Sequence, residues 1–326
     1  MRRIARACLA VALGLALAAP AGGQPRPGPT GPGPTGAGLE DPEAHIVSEL
    51  VVVAKERGPA WWRVTDGDTT VYILGVPGGP LPPGVAWDRR VLQARLAGAS
   101  TVIMGTQVRA GLRDLPALLR IRSRMRSKTP MEAGLAAPLR ARFVAAREQL
   151  GKPAGRYEKW QPVVAGQMLA FDAQHGWSSV EEQVKGMART AHARVRTSAS
   201  YDLVPLVNRM LDGLTPEIQT RCLEGALSDV EAGAGPFRRA ADGWARGDTA
   251  VALTQPRGFE PCLLALSGGA QLWRDATRDN VEAIAQALKT PGHAVAVVSL
   301  RTLLADGGVV EQLEARGLRV IGPGEG

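Results

Sequence analysis

Histidine is scarce in this chain. There are four, His45, His175, His192 and His293, and no two stand at a spacing that one helical turn or one tight loop converts into a pair of metal ligands. The two in the helical middle, His175 and His192, with Asp172 or Glu181 nearby, would have to build a site from scattered positions; ordinary surface or capping roles are the plainer reading. A Gly-x-Ser-x-Gly elbow is also missing, so Ser267, in the run LSGG, and the pair Ser178-Ser179 read as loop or helix-end serines rather than nucleophiles. No glycine-rich loop is followed by Lys-Ser or Lys-Thr, which removes the phosphate-loop nucleotide hydrolases. Beyond the first two dozen residues, no apolar run approaches the roughly 20 residues that a membrane-spanning helix needs. Aromatic residues are few, and none interleaves the arginines of residues 113–128 (RDLPALLRIRSRMRSK), as single-stranded nucleic acid would favour. That segment reads as a solvated helical face, contact with anionic lipid or polyanionic sugar being the alternative. No nucleic-acid partner is expected.

What is present begins with MRRIARACLAVALGLALAAPAGG, arginines ahead of an uninterrupted apolar stretch and then small residues. Residues 1–23 are the expected signal peptide, with cleavage near Ala21 or Gly23. Cys8 lies too early in the apolar run for a lipoprotein site. Export to the periplasm or beyond the cell follows, without a transmembrane segment once the leader is removed. Losing Arg2, Arg3 and Arg6 takes three charges from the formal +8, to +5, a modest excess that names no partner. Two cysteines then remain, Cys222 and Cys262. An even count in an oxidising compartment points to a disulfide; a metal pair is the weaker reading, since neither has a second Cys or a His at ligand spacing.

Residues 24–38 (QPRPGPTGPGPTGAG) are nearly all Pro, Gly and Thr, with nothing to bury. A disordered linker over 24–58 and one domain over 59–326 are therefore expected, residues 49–54 (ELVVVA) being either a short strand or an extended arm. The domain opens with a hairpin, 60–64 (AWWRV) and 70–74 (VYIL preceded by Thr70), around an Asp66-Gly67-Asp68 turn. A helix over 87–97 and a buried strand over 100–104 follow, an order that favours parallel pairing through a right-handed crossover. Residues from about 112 to 244 carry helical spacing, with Thr215-Pro216-Glu217 a helix start. The chain ends with a helix over 280–288, a buried strand over 294–298 (AVAVV), a helix over 308–316 and a strand over 317–321. The fold class is α/β, with strand-bearing N- and C-terminal parts forming one mixed sheet around a helical middle.

Three pieces carry a resemblance: the Trp-rich hairpin of 60–75, the segment GVAWDRRVLQARLAGASTVIM, and AVAVVSLRTLLADGGVVEQLEARGLRV near the end. Together they resemble the TraB/GumN family, which includes the Tiki-type metalloproteases and relates in fold to erythromycin-esterase-like and ChaN-like proteins. The likeness covers the ends well and the helical middle loosely. It implies two Gly-x-x-His motifs, one past the opening hairpin and one past the late strand, whose histidines are implicated in divalent-metal binding.

Against that pattern the first motif reads Gly75-Val76-Pro77-Gly78 and the second Ser299-Leu300-Arg301-Thr302, so glycine and threonine stand in the histidine places. The acidic residue that usually ends the strand after the first helix is absent at Gly105, and near 195–202 only Asp202 remains. Glycine offers no ligand, and a threonine hydroxyl suits zinc-like or manganese-like ions poorly. Gly75 and Gly78 are expected to give backbone freedom at the strand end, Pro77 to stiffen it, and the two loops to meet at one sheet edge. The expectation is a divergent, exported family member whose Gly75, Gly78, Gly105, Ser299, Arg301 and Thr302 line a degenerate cleft, with no catalytic residue, metal or cofactor. Its role would be binding or accessory in the cell envelope, the partner being an envelope protein or polysaccharide; the alternative is a metal-dependent hydrolase or protease with a remodelled site.

Overall fold

A computed structural model describes residues 41–325; the expected signal peptide, residues 1–23, and the expected linker up to residue 40 lie outside the described residues. Strands and helices are numbered in chain order. The Asp-Gly hairpin forms as β1 (Trp61–Asp66) and β2 (Thr69–Val76), paired antiparallel from Trp61↔Leu74 to Asp66↔Thr69. Gly67 takes φ 55° in the turn, a left-handed conformation that glycine adopts at no steric cost.

Next come α1 (Arg90–Leu96) and β3 (Thr101–Met104). β2 and β3 point the same way, as a strand-helix-strand unit should, yet they are not neighbours. The late strand β7 (Gly292–Ser299) slots between them, parallel to both. With β5 (Val195–Thr197) beyond β3, and β8 (Val320–Ile321) beyond β1, the sheet order is β5-β3-β7-β2-β1-β8. Five strands of this sheet, β5, β3, β7, β2 and β8, run the same way and β1 runs against them, giving the expected mixed sheet. A parallel interior strand is covered on both faces, which is why β7 is written as an unbroken apolar run and is buried from Ala294 through Val298. Alongside, β4 (Gln107–Arg109) and β6 (Ser200–Asp202) pair in a separate two-stranded ribbon.

The middle of the chain is helical: α2 (Leu115–Arg124), α3 (Ala137–Gln149), α4 (Pro162–Ala173), α5 (Val180–Thr190), α6 (Leu203–Asp212), α7 (Pro216–Ala232), α8 (Ala234–Ala245), α9 (Thr249–Ala252), α10 (Glu260–Ala265) and α11 (Gly269–Ala287). After β7 come the short α12 (Leu300–Leu304) and α13 (Val309–Glu314). Proline opens α2, α3, α4, α7 and α10, where its missing N–H costs nothing. Thr215 accepts the Ile218 N–H at 3.3 Å, the expected cap of α7. No helix among the described residues is long and apolar enough to cross a membrane.

Burial falls into two cores. The first lies against the sheet, with Trp62, Ile73, Leu74 and the interior of β7. The second fills the helical lobe, where Phe143, Tyr157, Leu169 and Leu223 pack between α3, α4 and α7. The disulfide Cys222–Cys262, Cα atoms 5.3 Å apart, joins α7 to α10 within this second core.

The linker reading of 24–58 extends too far at its C-terminal side. Residues 41–58 lie along the domain as an arm, in which Ser48–Leu50 is one 3-10 turn and Val53 makes a single bridge to Asp248, so ELVVVA is an arm and not a strand. Composition changes at residue 39, where the Pro/Gly stretch ends, and the arm's attachment is made by isolated contacts that leave no periodic signal.

Candidate functional site

β2 and β7 run in register to their C-terminal ends, with Gly75 opposite Val298 and Val76 opposite Ser299. Loop 77–80 and the start of α12 therefore emerge side by side at one edge of the sheet, as expected. In open α/β sheets this edge is where ligands gather. The seam is tight. A Cβ on Gly75 would stand 2.9 Å from both Leu300 Cδ1 and a Trp62 ring carbon, and Trp244 Nε1 donates to the Gly75 carbonyl at 2.7 Å. Gly75 is needed for close approach between strand, helix and indole, and its φ is not positive, so the expected role in backbone freedom is corrected.

A second wall comes from the loop before α10. Asp229 on α7 accepts from the backbone N–H groups of Gly258 and Phe259 at 2.7 and 2.9 Å. Gly225, one turn earlier on the same helix, lies so close that a Cβ there would be 2.0 Å from the Gly258 carbonyl oxygen. With Cys222–Cys262 beside them, these contacts fix the loop that carries Arg257 and Glu260.

The third wall is the N-terminal arm. Glu43 is 3% exposed, although it carries a carboxylate. Its Oε1 accepts from Thr302 Oγ1 at 2.6 Å and from Trp273 Nε1, on α11, at 2.9 Å. Its Oε2 accepts from Arg257 Nη2 at 3.0 Å. The Glu43 carbonyl receives Arg257 Nη1 at 3.3 Å and Arg301 Nη1 at 3.4 Å. Arg257 also reaches Asp41 Oδ2 at 3.0 Å and Glu260 Oε2 at 2.8 Å, while Arg301 donates to the Leu253 carbonyl. Each carboxylate in this cluster thus pairs with Arg257, while Arg301 spends its hydrogen bonds on main-chain carbonyls, so the buried ions are hydrogen-bonded, the condition under which burying them is tolerated.

The cluster perturbs its members. Burial, and then the Glu43 charge, hold the Glu260 carboxyl above the ordinary glutamate range despite Arg257. Burial and then the neighbouring Arg257 push Arg301 down. For Arg257 burial opposes the charge, but Glu260, Asp41 and Glu43 outweigh it and raise the guanidinium.

Of the residues read from the sequence, Gly78, Arg301 and Thr302 meet here: a Cβ on Gly78 would lie 3.8 and 4.0 Å from the two Glu260 carboxylate oxygens. Ser299 ends β7 beside Val76 and makes no side-chain cap on α12. Gly105 leaves β3 with nothing within 4 Å of where its Cβ would stand, so it adds nothing to the cluster. Asp202 is exposed ahead of α6 without a capping bond. Ser179 caps α5, accepting from Glu182 N at 3.3 Å, and His293 Nε2 lies 3.0 Å from the Arg95 carbonyl. Sequence reasoning missed Glu43, Arg257, Glu260 and Trp273. Only the Arg257-x-x-Glu260 spacing, between prolines, carried any signal.

These side chains do not suit a divalent cation. Gly78 has no donor atom, the Thr302 hydroxyl proton is committed to Glu43, and two guanidinium groups stand among the carboxylates. Among the described residues, no three His, Cys, Asp or Glu side chains converge in a way that could hold a metal ion.

Comparisons with curated proteins and with solved structures return no match. A family comparison does: the TraB/PrgY/gumN family matches residues 60–321, from the first residues of the hairpin to the end of β8. The chain belongs to the TraB/PrgY/gumN family.

Proposed function

We propose that this is an exported, non-catalytic member of its family, in which the cleft at the ends of β2 and β7 has exchanged metal chemistry for an ion-pair network, and which serves a binding or accessory role in the cell envelope. The observation that carries this reading is the Glu43–Thr302 bond: the residue in the second histidine place gives its hydroxyl to a buried carboxylate that Arg257 also holds. Gly78, in the first histidine place, faces Glu260 with no side chain of its own. A reaction that needs a metal-activated water has no ligand set here. The apolar leader read over residues 1–23 and the Cys222–Cys262 disulfide support export, since disulfides persist in oxidising compartments.

Elemental analysis of the purified mature protein, with calorimetric titration of zinc, manganese and cobalt, tests the reading. Substoichiometric metal and no saturable uptake are expected. Stoichiometric metal, lost on mutating Glu43 or Glu260, would make the chain a remodelled metalloenzyme.

A further inference from the structure

Glu43 is the one residue of 41–57 that is fully buried. An arm held by hydrophobic anchors would bury leucine or valine; this one buries a carboxylate in a set of oriented donors. Elsewhere it is held by the partly buried Ile46, Leu50 and Ala54 against the sheet core, by isolated bridges, Ile46↔Ala305 and Val53↔Asp248, and by scattered backbone bonds such as Val47 N to the Leu304 carbonyl at 3.0 Å and Ala54 N to the Gly247 carbonyl at 2.9 Å. Such attachment opens locally at far less cost than a ladder within the sheet.

The receiving half is built without the arm. Asp229 and Gly225 fix the loop bearing Arg257, Glu260 holds the Arg257 Nε, the Leu253 carbonyl holds Arg301, and Trp273 and Thr302 sit on helices. With the arm in place, Asp41, Glu43 and Glu260 face Arg257 and Arg301, a balance of minus one. Without it, the two arginines face Glu260 alone, a balance of plus one, and the Trp273 and Thr302 donors point at the vacated position. Charge-assisted bonds from arginine to carboxylate are among the strongest that proteins make.

We propose that this cleft is a carboxylate-binding site in which Glu43 acts as a tethered ligand, and that it takes an acidic peptide segment from another chain when the arm lifts. A peptide is favoured over a free organic acid because the site reads more than one carboxylate. Arg257 and Arg301 both bond the Glu43 main-chain carbonyl, and Arg257 engages a second carboxylate two residues earlier, at Asp41. The motif recognised is therefore an acidic residue, one intervening residue, then glutamate, held in a tight turn like that of the arm, where Ala44 N donates to the Asp41 carbonyl and Glu43 N to Asp41 Oδ1, each at 3.0 Å; this is the arginine-cluster mode of acidic-motif recognition. The tethered arm competes at an effective concentration of roughly millimolar, so the intact chain conceals the site from weak ligands.

This rests on the metal-free reading of the cleft, and one set of measurements separates the two. The full mature chain carrying Asp41→Ala and Glu43→Ala is titrated by calorimetry with a synthetic peptide of residues 41–54. Saturable one-to-one binding is expected, about a hundredfold tighter than to the wild-type chain, and lost when the peptide carries glutamine for Glu43 or the protein carries Arg257→Gln. Hydrogen exchange on the wild-type chain is the second measurement: amides of 41–54 should exchange by local opening, faster than those of β7, and faster still with added peptide. A folded double variant that ignores the peptide overturns the proposal, as does exchange of the arm only through global unfolding, which decides the matter if the variant fails to fold. Stoichiometric metal in the same preparation would instead overturn the reading of the cleft itself.

Discussion

Glu43 and Thr302 are 259 residues apart in the chain and 2.6 Å apart between Oε1 and Oγ1. The bond closes the mouth of the sheet between the N-terminal arm and the helix that follows β7.

Placing histidines at positions 78 and 302 is not expected to create a metal site by itself. In Gly78→His with Thr302→His, one imidazole meets Glu260 and the other displaces the Glu43 bond, yet Arg257 and Arg301 remain and repel a dication. Calorimetry should find no saturable zinc binding in the double variant. Adding Arg301→Gln should improve uptake by about tenfold or more, because removing one nearby charge is worth on the order of 1–2 kcal/mol at protein-like dielectric. Tight zinc binding by the double variant alone would show that the arginines do not govern the cleft.

The close approach of Gly225 to Gly258 predicts a large cost for one methyl group. Gly225→Ala should destabilise the chain by about 3 kcal/mol, at the upper end of overpacking, because the obstacle is backbone. Gly186, within α5 and with open space around it, supplies the contrast: alanine there should stabilise by about 0.5–1 kcal/mol. Urea midpoints read both. Equal effects would mean that the contact with the loop carrying Arg257 is looser than described.

The disulfide predicts almost no free thiol in the unfolded, unreduced mature protein, and about 4 kcal/mol of stability lost on replacing Cys222 and Cys262 by serine, on the chain-entropy account of a loop closed by residues 40 apart. Two titratable thiols per chain would contradict it. The serine variant should also loosen the loop ahead of α10, read as faster amide exchange at Gly258 and Phe259, whose N–H groups Asp229 accepts.

Glu260 gives a pH dependence with a definite sign. Its folded carboxyl is raised above the ordinary value of 4.5 by burial and then by Glu43. Between the unfolded and folded values the native state holds more protons than the unfolded state, so this group's contribution to stability is present below about pH 4.5 and declines as the pH rises through the folded value. In Glu260→Gln that decline disappears. The difference in urea midpoint, variant minus wild type, should therefore rise from about pH 4.5 upward and then level off. The side chain is 37% exposed, so screening keeps the slope shallow. A flat difference would show that Glu43 and burial do not act on Glu260.

The sequence alone determined the elements whose signal is local. Asp66-Gly67-Asp68 turns one strand into the next because glycine accepts a left-handed φ, AVAVV is a buried parallel strand because both its faces are covered, and Thr215-Pro216 starts a helix because a cap and a donor-free residue suit its first turn. Gly78 and Thr302 could be placed at one sheet edge because each follows a strand that the pattern identifies. What only the tertiary structure decided is what fills the space between them. Insertion of β7 between β2 and β3 brings the end of the chain to its beginning, and Glu43, Arg257, Trp273 and Thr302 meet across separations of more than 200 residues with Glu43 as their hub. No periodicity announces such a contact, because a buried carboxylate is stabilised by the donors that surround it in space and not by the residues beside it in the chain.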